Sequence, residues 1–249
     1  MSKLTLKFGG SALNSPENIN RVCQIILKKA LNNDCYVVVS ALKGSTEKLI
    51  GICNSAKTSA QQANTQLLEL IAEHQLLANK ILSANKALAW QQEVAVYIDA
   101  CQKRLVNRKQ TDADIASILS LGEKLSAALI SQAIQQAGKN CNWLCSEGLI
   151  KTTGSYLNSC VDNLATAQCF ADLNKDYPRL KITIITGFSA SNQKGQTTLL
   201  GRNASDYSAA IVAKFTGSES VELFGDTAGI LSADPDYVPG ANTITKLSI

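Results

Sequence analysis

The chain has 249 residues, 45% hydrophobic and 18% charged, which is the balance of a soluble globular protein long enough to bury a sizeable core. Its net charge of +4 comes from 24 basic and 20 acidic residues, scattered without a dense basic stripe or interleaved aromatics, so a nucleic-acid partner is not expected. No apolar run approaches the ~20 residues of a membrane span, and MSKLTLKFGG lacks a signal peptide's apolar stretch, so a cytoplasmic protein with reduced thiols is expected.

Leu4-Thr5-Leu6-Lys7-Phe8 alternates apolar and polar residues and then meets Gly9-Gly10, the pattern of a strand running into a turn. Ser15-Pro16-Glu17 reads as a capped helix start, with Ile19, Val22, Cys23, Ile26, Leu27 and Ala30 on one face. Cys35–Val39 is a short apolar strand of the kind buried on both faces of a parallel sheet. From about Glu47 to Arg108 the pattern is helical, with almost no glycine or proline. A further helix is predicted over Leu121–Ala137, ended by Gly138. A strand near Asn142–Cys145 and a helix around Asn163–Leu173 follow. Lys181–Thr186 is the next buried strand, Ala204–Phe215 a helix, and Ser220–Phe224 a strand.

Alternating strands and helices predict an α/β fold, a mainly parallel sheet covered on both faces. Ligands of such sheets sit beyond the carboxyl ends of the strands, which singles out the turns at 7–11, 40–46, 186–206 and 224–229. The eight cysteines include no Cys-x-x-Cys pair and His74 is the only histidine, which argues against a Cys/His zinc site. Most of the cysteines, and His74, are expected to be structural.

Each turn has two readings. In KFGGSA, the glycines let backbone N–H groups approach a phosphate and Lys7 adds a mobile charge; otherwise Lys7 sits on a solvated strand face. Neither G-x-G-x-x-G nor G-x-x-x-x-G-K-[ST] is present. Ser40–Thr46 offers hydroxyls at a strand end, or simply a turn and helix cap. Glu123, in a first helical turn, complements the helix dipole by ~0.3–1 kcal/mol or meets a substrate ammonium. In LLGRNASDYSAA, Arg202 and Asp206 are either a surface cation and a dipole partner behind a cap at Asn203 or Ser205, or a clamp for a zwitterion's carboxylate and ammonium. Asp226 ends a strand as a solvated turn or a group that orients phosphates.

In this order, KFGGSA (Lys7–Ala12), VVVSALKGSTEKL (Val37–Leu49), SLGEKLSAALI (Ser120–Ile130), ITGFSA (Ile185–Ala190), TTLLGRNASDYSAA (Thr197–Ala210) and FGDTAGILSADP (Phe224–Pro235) resemble an aspartokinase. The nearest likeness is to the kinase portion of bifunctional aspartokinase/homoserine dehydrogenases. The resemblance implies the amino-acid-kinase fold, a three-layer αβα sandwich, over residues 1–249, with a helical block at about 47–138. It implies transfer of the ATP γ-phosphoryl group to the side chain of L-aspartate, within amino-acid biosynthesis. Lys7 and Asp226 would be catalytic. Lys7, Gly9, Gly10, Ser11, Asp226 and Gly229 would meet the nucleotide, and Ser40, Thr46, Glu123, Arg202, Ser205 and Asp206 would line the aspartate side. Mg²⁺ would arrive with the nucleotide rather than on protein ligands. A homodimer is the implied assembly.

The sequence departs from the family pattern on the nucleotide side. Gly225 stands where a threonine is usual, Leu231 where a tyrosine is, Asp236 where an arginine is, and Glu47 where an asparagine is. Family members also continue into a second lysine-bearing segment, ACT domains and sometimes a dehydrogenase, none of which precedes Ile249, so a fold cut short at its C-terminus is expected. Two rival readings follow: a catalytically silent relative with a binding or assembly role, and a kinase of the same fold with another acceptor.

Overall fold

The computed structural model describes residues 2–176, 181–201, 204–225, 229, 231–233 and 237–245. In chain order its elements are β1 (Ser2–Phe8), α1 (Pro16–Lys29), β2 (Asn33–Val39), α2 (Ser45–Ala56), α3 (Ala60–Ile81), α4 (Ala84–Leu105), α5 (Asp112–Leu119), α6 (Leu121–Gln136), β3 (Asn142–Leu144), β4 (Lys151–Gly154), β5 (Ser159–Val161), α7 (Asn163–Asp176), β6 (Ile182–Thr186), β7 (Ser189–Asn192), β8 (Thr197–Leu199), α8 (Ala204–Thr216) and β9 (Ser220–Phe224). A 3-10 turn at Gly10–Leu13 separates β1 from α1.

Five strands form a wholly parallel sheet in the order β3-β6-β2-β1-β9. Its alternation explains the three layers. Leu4, Leu6, Phe8, Val37, Val39, Ile182 and Ile184 point to one face, where α1 and α6 cover them. Val38 and Ile185 point to the other, where they meet residues of α7 and α8. Ser15 caps α1 by accepting from Asn18 N at 3.2 Å, as the Ser-Pro-Glu start predicts.

The helical block is real, but it is broken at serines. Ser59 caps α3, and Ser83 precedes α4. Thr111 and Asp114 form a reciprocal capping box that starts α5, an element the sequence pattern did not separate. These helices pack outside α6 and wrap it, so every residue from Leu121 to Ile134 is buried. The inward face predicted for α6 is therefore one part of a helix with no solvent side, which its small residues Ser126, Ala127 and Ala128 make possible. Trp90 of α4 donates from Nε1 to Leu125 O at 3.1 Å. His74 is structural: its Nδ1 donates to Leu70 O at 2.8 Å, and burial holds its pKa below the usual value. Cys23, Cys35, Cys53, Cys101 and Cys141 are core residues.

A second, smaller sheet in the order β5-β4-β7-β8 lies beside the first. The sequence pattern gives a turn at 186–206, where β7 and β8 lie, and no element at β4 and β5. The strands are short and written in serine, threonine and asparagine rather than β-branched apolar residues. Among the described residues, no helix is long and apolar enough to cross a membrane.

Candidate active site

Register places the loops. Phe8 lies opposite both Val39 and Phe224, and Val39 lies opposite Thr186, so four neighbouring strands end at one level. Backbone bonds then carry the ladder past the strand ends. Gly9 N donates to Phe224 O at 2.9 Å, Ser40 N to Phe8 O at 3.1 Å and Gly187 N to Val39 O at 2.9 Å. Lys43 N reaches Gly10 O at 3.3 Å. The predicted turns at 7–11, 40–46 and the start of 186–206 are thereby brought together.

Two glycines permit the close approach. A Cβ on Gly122 would lie 2.6 Å from Ala41 Cβ, so α6 can reach the 40–46 loop only with glycine there. A Cβ on Gly187 would lie 2.8 Å from Ser205 Oγ, so the end of β6 abuts the first turn of α8. Ser205 is buried inside that turn, not at its cap as one reading of the sequence had it. Phe188 follows at φ +69°, a left-handed conformation that costs a bulky residue about 1–3 kcal/mol. Its N–H donates to Ser208 Oγ at 3.0 Å.

Lys7 is on the α8 face of β1 because it alternates with Leu6 and Phe8. Its Nζ lies 2.6 Å from Asp206 Oδ1 in the first turn of α8. Lys7 is only 13% exposed and Asp206 is 51% exposed. The solvated-face reading of Lys7 is thus overturned. Asp206, read from sequence as the partner of a ligand ammonium, here holds the protein's own.

Glu123 projects from α6 under the 40–46 loop. Its Oε1 accepts from Ala41 N at 3.2 Å, and Oε2 has no hydrogen-bond partner among the described residues. Burial dominates and pushes its pKa up to about 8, against the lowering effect of Ala41 N–H. The dipole-stabilised carboxylate expected at a helix start is therefore replaced by one that burial keeps protonated at neutral pH. The next residue behaves oppositely. Lys124 Nζ lies 2.7 Å from Glu147 Oε1 and donates to Ser120 Oγ at 2.7 Å. Burial is the largest influence and works against its charge, but Glu147 together with Cys145 and Cys101 leaves its pKa raised. Lys124, Glu147 and Phe188 were not singled out in the sequence. A pair 23 positions apart leaves no local pattern.

Ser11 lies in the 3-10 turn after Gly9 and Gly10. Ser40 follows β2, and Thr46 is in the first turn of α2, whose cap Gly44 has φ +84°. Gly229 is placed with φ +108°. Arg202 and Asp226 lie outside the described residues, as do Asn203 and Asp236. Among the described residues, no group of three or more His, Cys, Asp or Glu side chains could hold a metal ion.

The profile of the amino acid kinase family matches residues 3–249. The chain is 32% identical to the aspartokinase of Chlamydia pneumoniae, over 100% of this chain and 53% of that protein. It is 30% identical to the bifunctional aspartokinase/homoserine dehydrogenase of Haemophilus influenzae, over 98% of this chain and 30% of that protein. It superposes on Escherichia coli aspartokinase III in complex with aspartate and ADP with a TM-score of 0.84 and 24% identity, covering 97% of this chain and 53% of that one. The chain thus spans about half, or less, of the length of these relatives.

Proposed function

The chain belongs to the amino acid kinase family, and from that premise we propose that it transfers the γ-phosphoryl group of ATP to the side-chain carboxylate of L-aspartate. The relatives named above as aspartokinases support the choice of acceptor. The observation that carries the reading is the Lys7–Asp206 pair at the carboxyl end of the sheet, a shielded ammonium held by a half-exposed carboxylate.

Phosphoryl transfer is mostly positioning and charge neutralisation. A side-chain oxygen of aspartate attacks the γ-phosphorus. The bond from phosphorus to the bridging oxygen breaks, and ADP leaves with the electron pair. The attacking carboxylate is already ionised, so no general base is required. Lys7 neutralises charge on the transferring oxygens, and the backbone N–H groups after β1 add donors. Asp206 holds Lys7 in place before the nucleotide arrives and can turn to the substrate's ammonium once it does. The resemblance assigns the α-carboxylate to Arg202 and a nucleotide-side role to Asp226. Ser40, Thr46 and Ser205 surround the aspartate. The nucleotide would enter as its magnesium complex.

Glu123 adds a proton to the account. An ammonium arriving beside it favours the carboxylate form and expels the proton that burial retains. A hydroxamate assay for acyl phosphate, with aspartate, glutamate and carbamate as acceptors, tests the reading. Product with aspartate alone is expected. Product with another acceptor, or none with any, overturns it.

The open surroundings of Gly225 favour a second reading. Among the described residues other than its chain neighbours, none lies within 4 Å of a Cβ placed there, so none of them excludes the usual threonine, yet its hydroxyl is missing. A silent relative would bind L-aspartate in a calorimetric titration and fail to bind Mg-ATP.

A further inference from the structure

A cleft of about 730 Å³ opens beside the sheet edge formed by β3, between α4 and α7. None of the residues assigned above to aspartate or nucleotide lines it. Its volume suits a small organic ligand. Two carboxylates face it: Glu93 from α4 and Asp172 from α7. Two aromatic rings form a corner, Tyr97 and Trp143, with centroids 5.6 Å apart and planes at 58°. Leu149 and Leu173 give it an apolar wall.

The state of Glu93 points to the ligand's charge. Its Oε2 accepts from Trp143 Nε1 at 3.0 Å and its Oε1 from Gln132 Nε2 at 2.5 Å. Both donors are neutral. Among the described residues, no ion pair reaches Glu93. An ionised carboxylate has about four acceptor positions, so two remain open towards a donor. The bond to Glu93 also fixes the Trp143 ring. This aromatic corner already holds a cation from the protein side, since Lys124 Nζ lies 5.3 Å from the Tyr97 centroid.

We propose that this cleft binds a small organic cation, an alkyl ammonium or guanidinium, with its charged head between Glu93 and Trp143 and its stem against the leucines. The ligand is separate from the phosphoryl-transfer substrates, so this site and the kinase reading stand or fall independently.

The test uses the whole chain at pH 7 with four probes: n-pentylammonium, butylguanidinium, the neutral 1-pentanol and the anion pentanoate. Both tryptophans emit, but Trp143 lines the cleft and Trp90 does not, so a ligand-dependent change in fluorescence is expected from Trp143 and lost in Trp143→Phe. Calorimetry gives the affinities. Both cations are expected to bind saturably and at least roughly tenfold tighter than pentanol, with pentanoate not binding, as loss of a charge-assisted contact predicts. Glu93→Gln removes the charge and keeps one acceptor oxygen, for either Trp143 Nε1 or Gln132 Nε2, and is expected to weaken the cations by about tenfold. Cys169→Lys, which places a tethered ammonium in the cleft, is expected to abolish their binding and remains decisive if Glu93→Gln does not fold. Equal binding of cation and alcohol overturns the proposal. So does cation binding that neither variant changes, since the probe then sits elsewhere.

Discussion

Replacing Glu123 by glutamine isolates the energetic consequence of burying a carboxylate. Its pKa is about 8 in the folded chain and near the ordinary 4.5 once unfolded. Between those values the folded chain holds a proton that the unfolded chain has released. The stability linked to this group is therefore complete below pH 4.5 and is lost as pH rises through 8. Each tenfold change in proton affinity is ~1.4 kcal/mol, so the full effect is on the order of 4–5 kcal/mol. Relaxation and water entry around the charged form reduce this, and roughly 2 kcal/mol is the expected difference. Glutamine keeps an acceptor for Ala41 N and never ionises. Urea unfolding of both proteins at pH 5, 7 and 9 gives the measurement. Wild type is expected to lose about 2 kcal/mol relative to Glu123→Gln between pH 5 and pH 9. A difference that stays flat across that range would show that Glu123 ionises in the folded protein without cost.

The same proton is expected to leave when L-aspartate binds at pH 7, so binding heats should differ between phosphate and Tris buffers in wild type and agree in Glu123→Gln; equal heats in wild type would remove Glu123 from the ammonium's surroundings. Asp206→Ala should cost about 1–3 kcal/mol of stability, because it leaves the shielded Lys7 ammonium without its carboxylate, while Lys7→Met should lower kcat by roughly 10²–10³-fold with an unchanged circular dichroism spectrum. Normal turnover in Lys7→Met would displace this lysine from the reaction. Arg202→Ala is expected to abolish calorimetric binding of L-aspartate with the fold intact, and unchanged affinity defeats that assignment. Gly51 and Gly122 should respond with opposite sign: Gly51→Ala, whose new Cβ meets no described residue outside its own helix within 4 Å, should stabilise by about 0.5–1 kcal/mol, and Gly122→Ala, 2.6 Å from Ala41 Cβ, should destabilise by about 1–3 kcal/mol in urea unfolding.

Strands β1, β2, β6 and β9 and helices α1, α6 and α8 are legible because each carries a clean period or a strong cap. Ser15-Pro16-Glu17 announces α1 within one residue. Strands β4, β5, β7 and β8 are not legible, because their side chains satisfy one another through hydroxyls rather than through an apolar face. Thr152 Oγ1 and Thr198 Oγ1, 2.7 Å apart across the small sheet, look like loop residues until the sheet exists. In the site, loop positions could be read from strand ends, which is why Lys7, Gly10, Ser40 and Glu123 converge. Charge states could not. Whether Glu123 is a solvated dipole partner or a buried acid depends on the layer of helices around α6, and no residue near it in sequence encodes that layer. Lys124 and Glu147 likewise meet only through the tertiary fold.

The position of β1 between β2 and the edge strand β9 has a consequence for synthesis. Its first neighbour, β2, is made soon after it, but its other neighbour is β9, where Leu4 pairs with Ser220. At about 5–20 residues per second, a ribosome needs roughly 10–40 s between the two strands. During that interval the outer side of β1 lacks its sheet partner, and Gly9 lacks the Phe224 carbonyl that anchors it. The turn following Lys7 can set only after Phe224 has left the ribosome, so shorter nascent chains carry the lysine without the turn. Nascent chains halted before Ser220 therefore carry a half-paired parallel strand, the kind of exposed edge that chaperones shield.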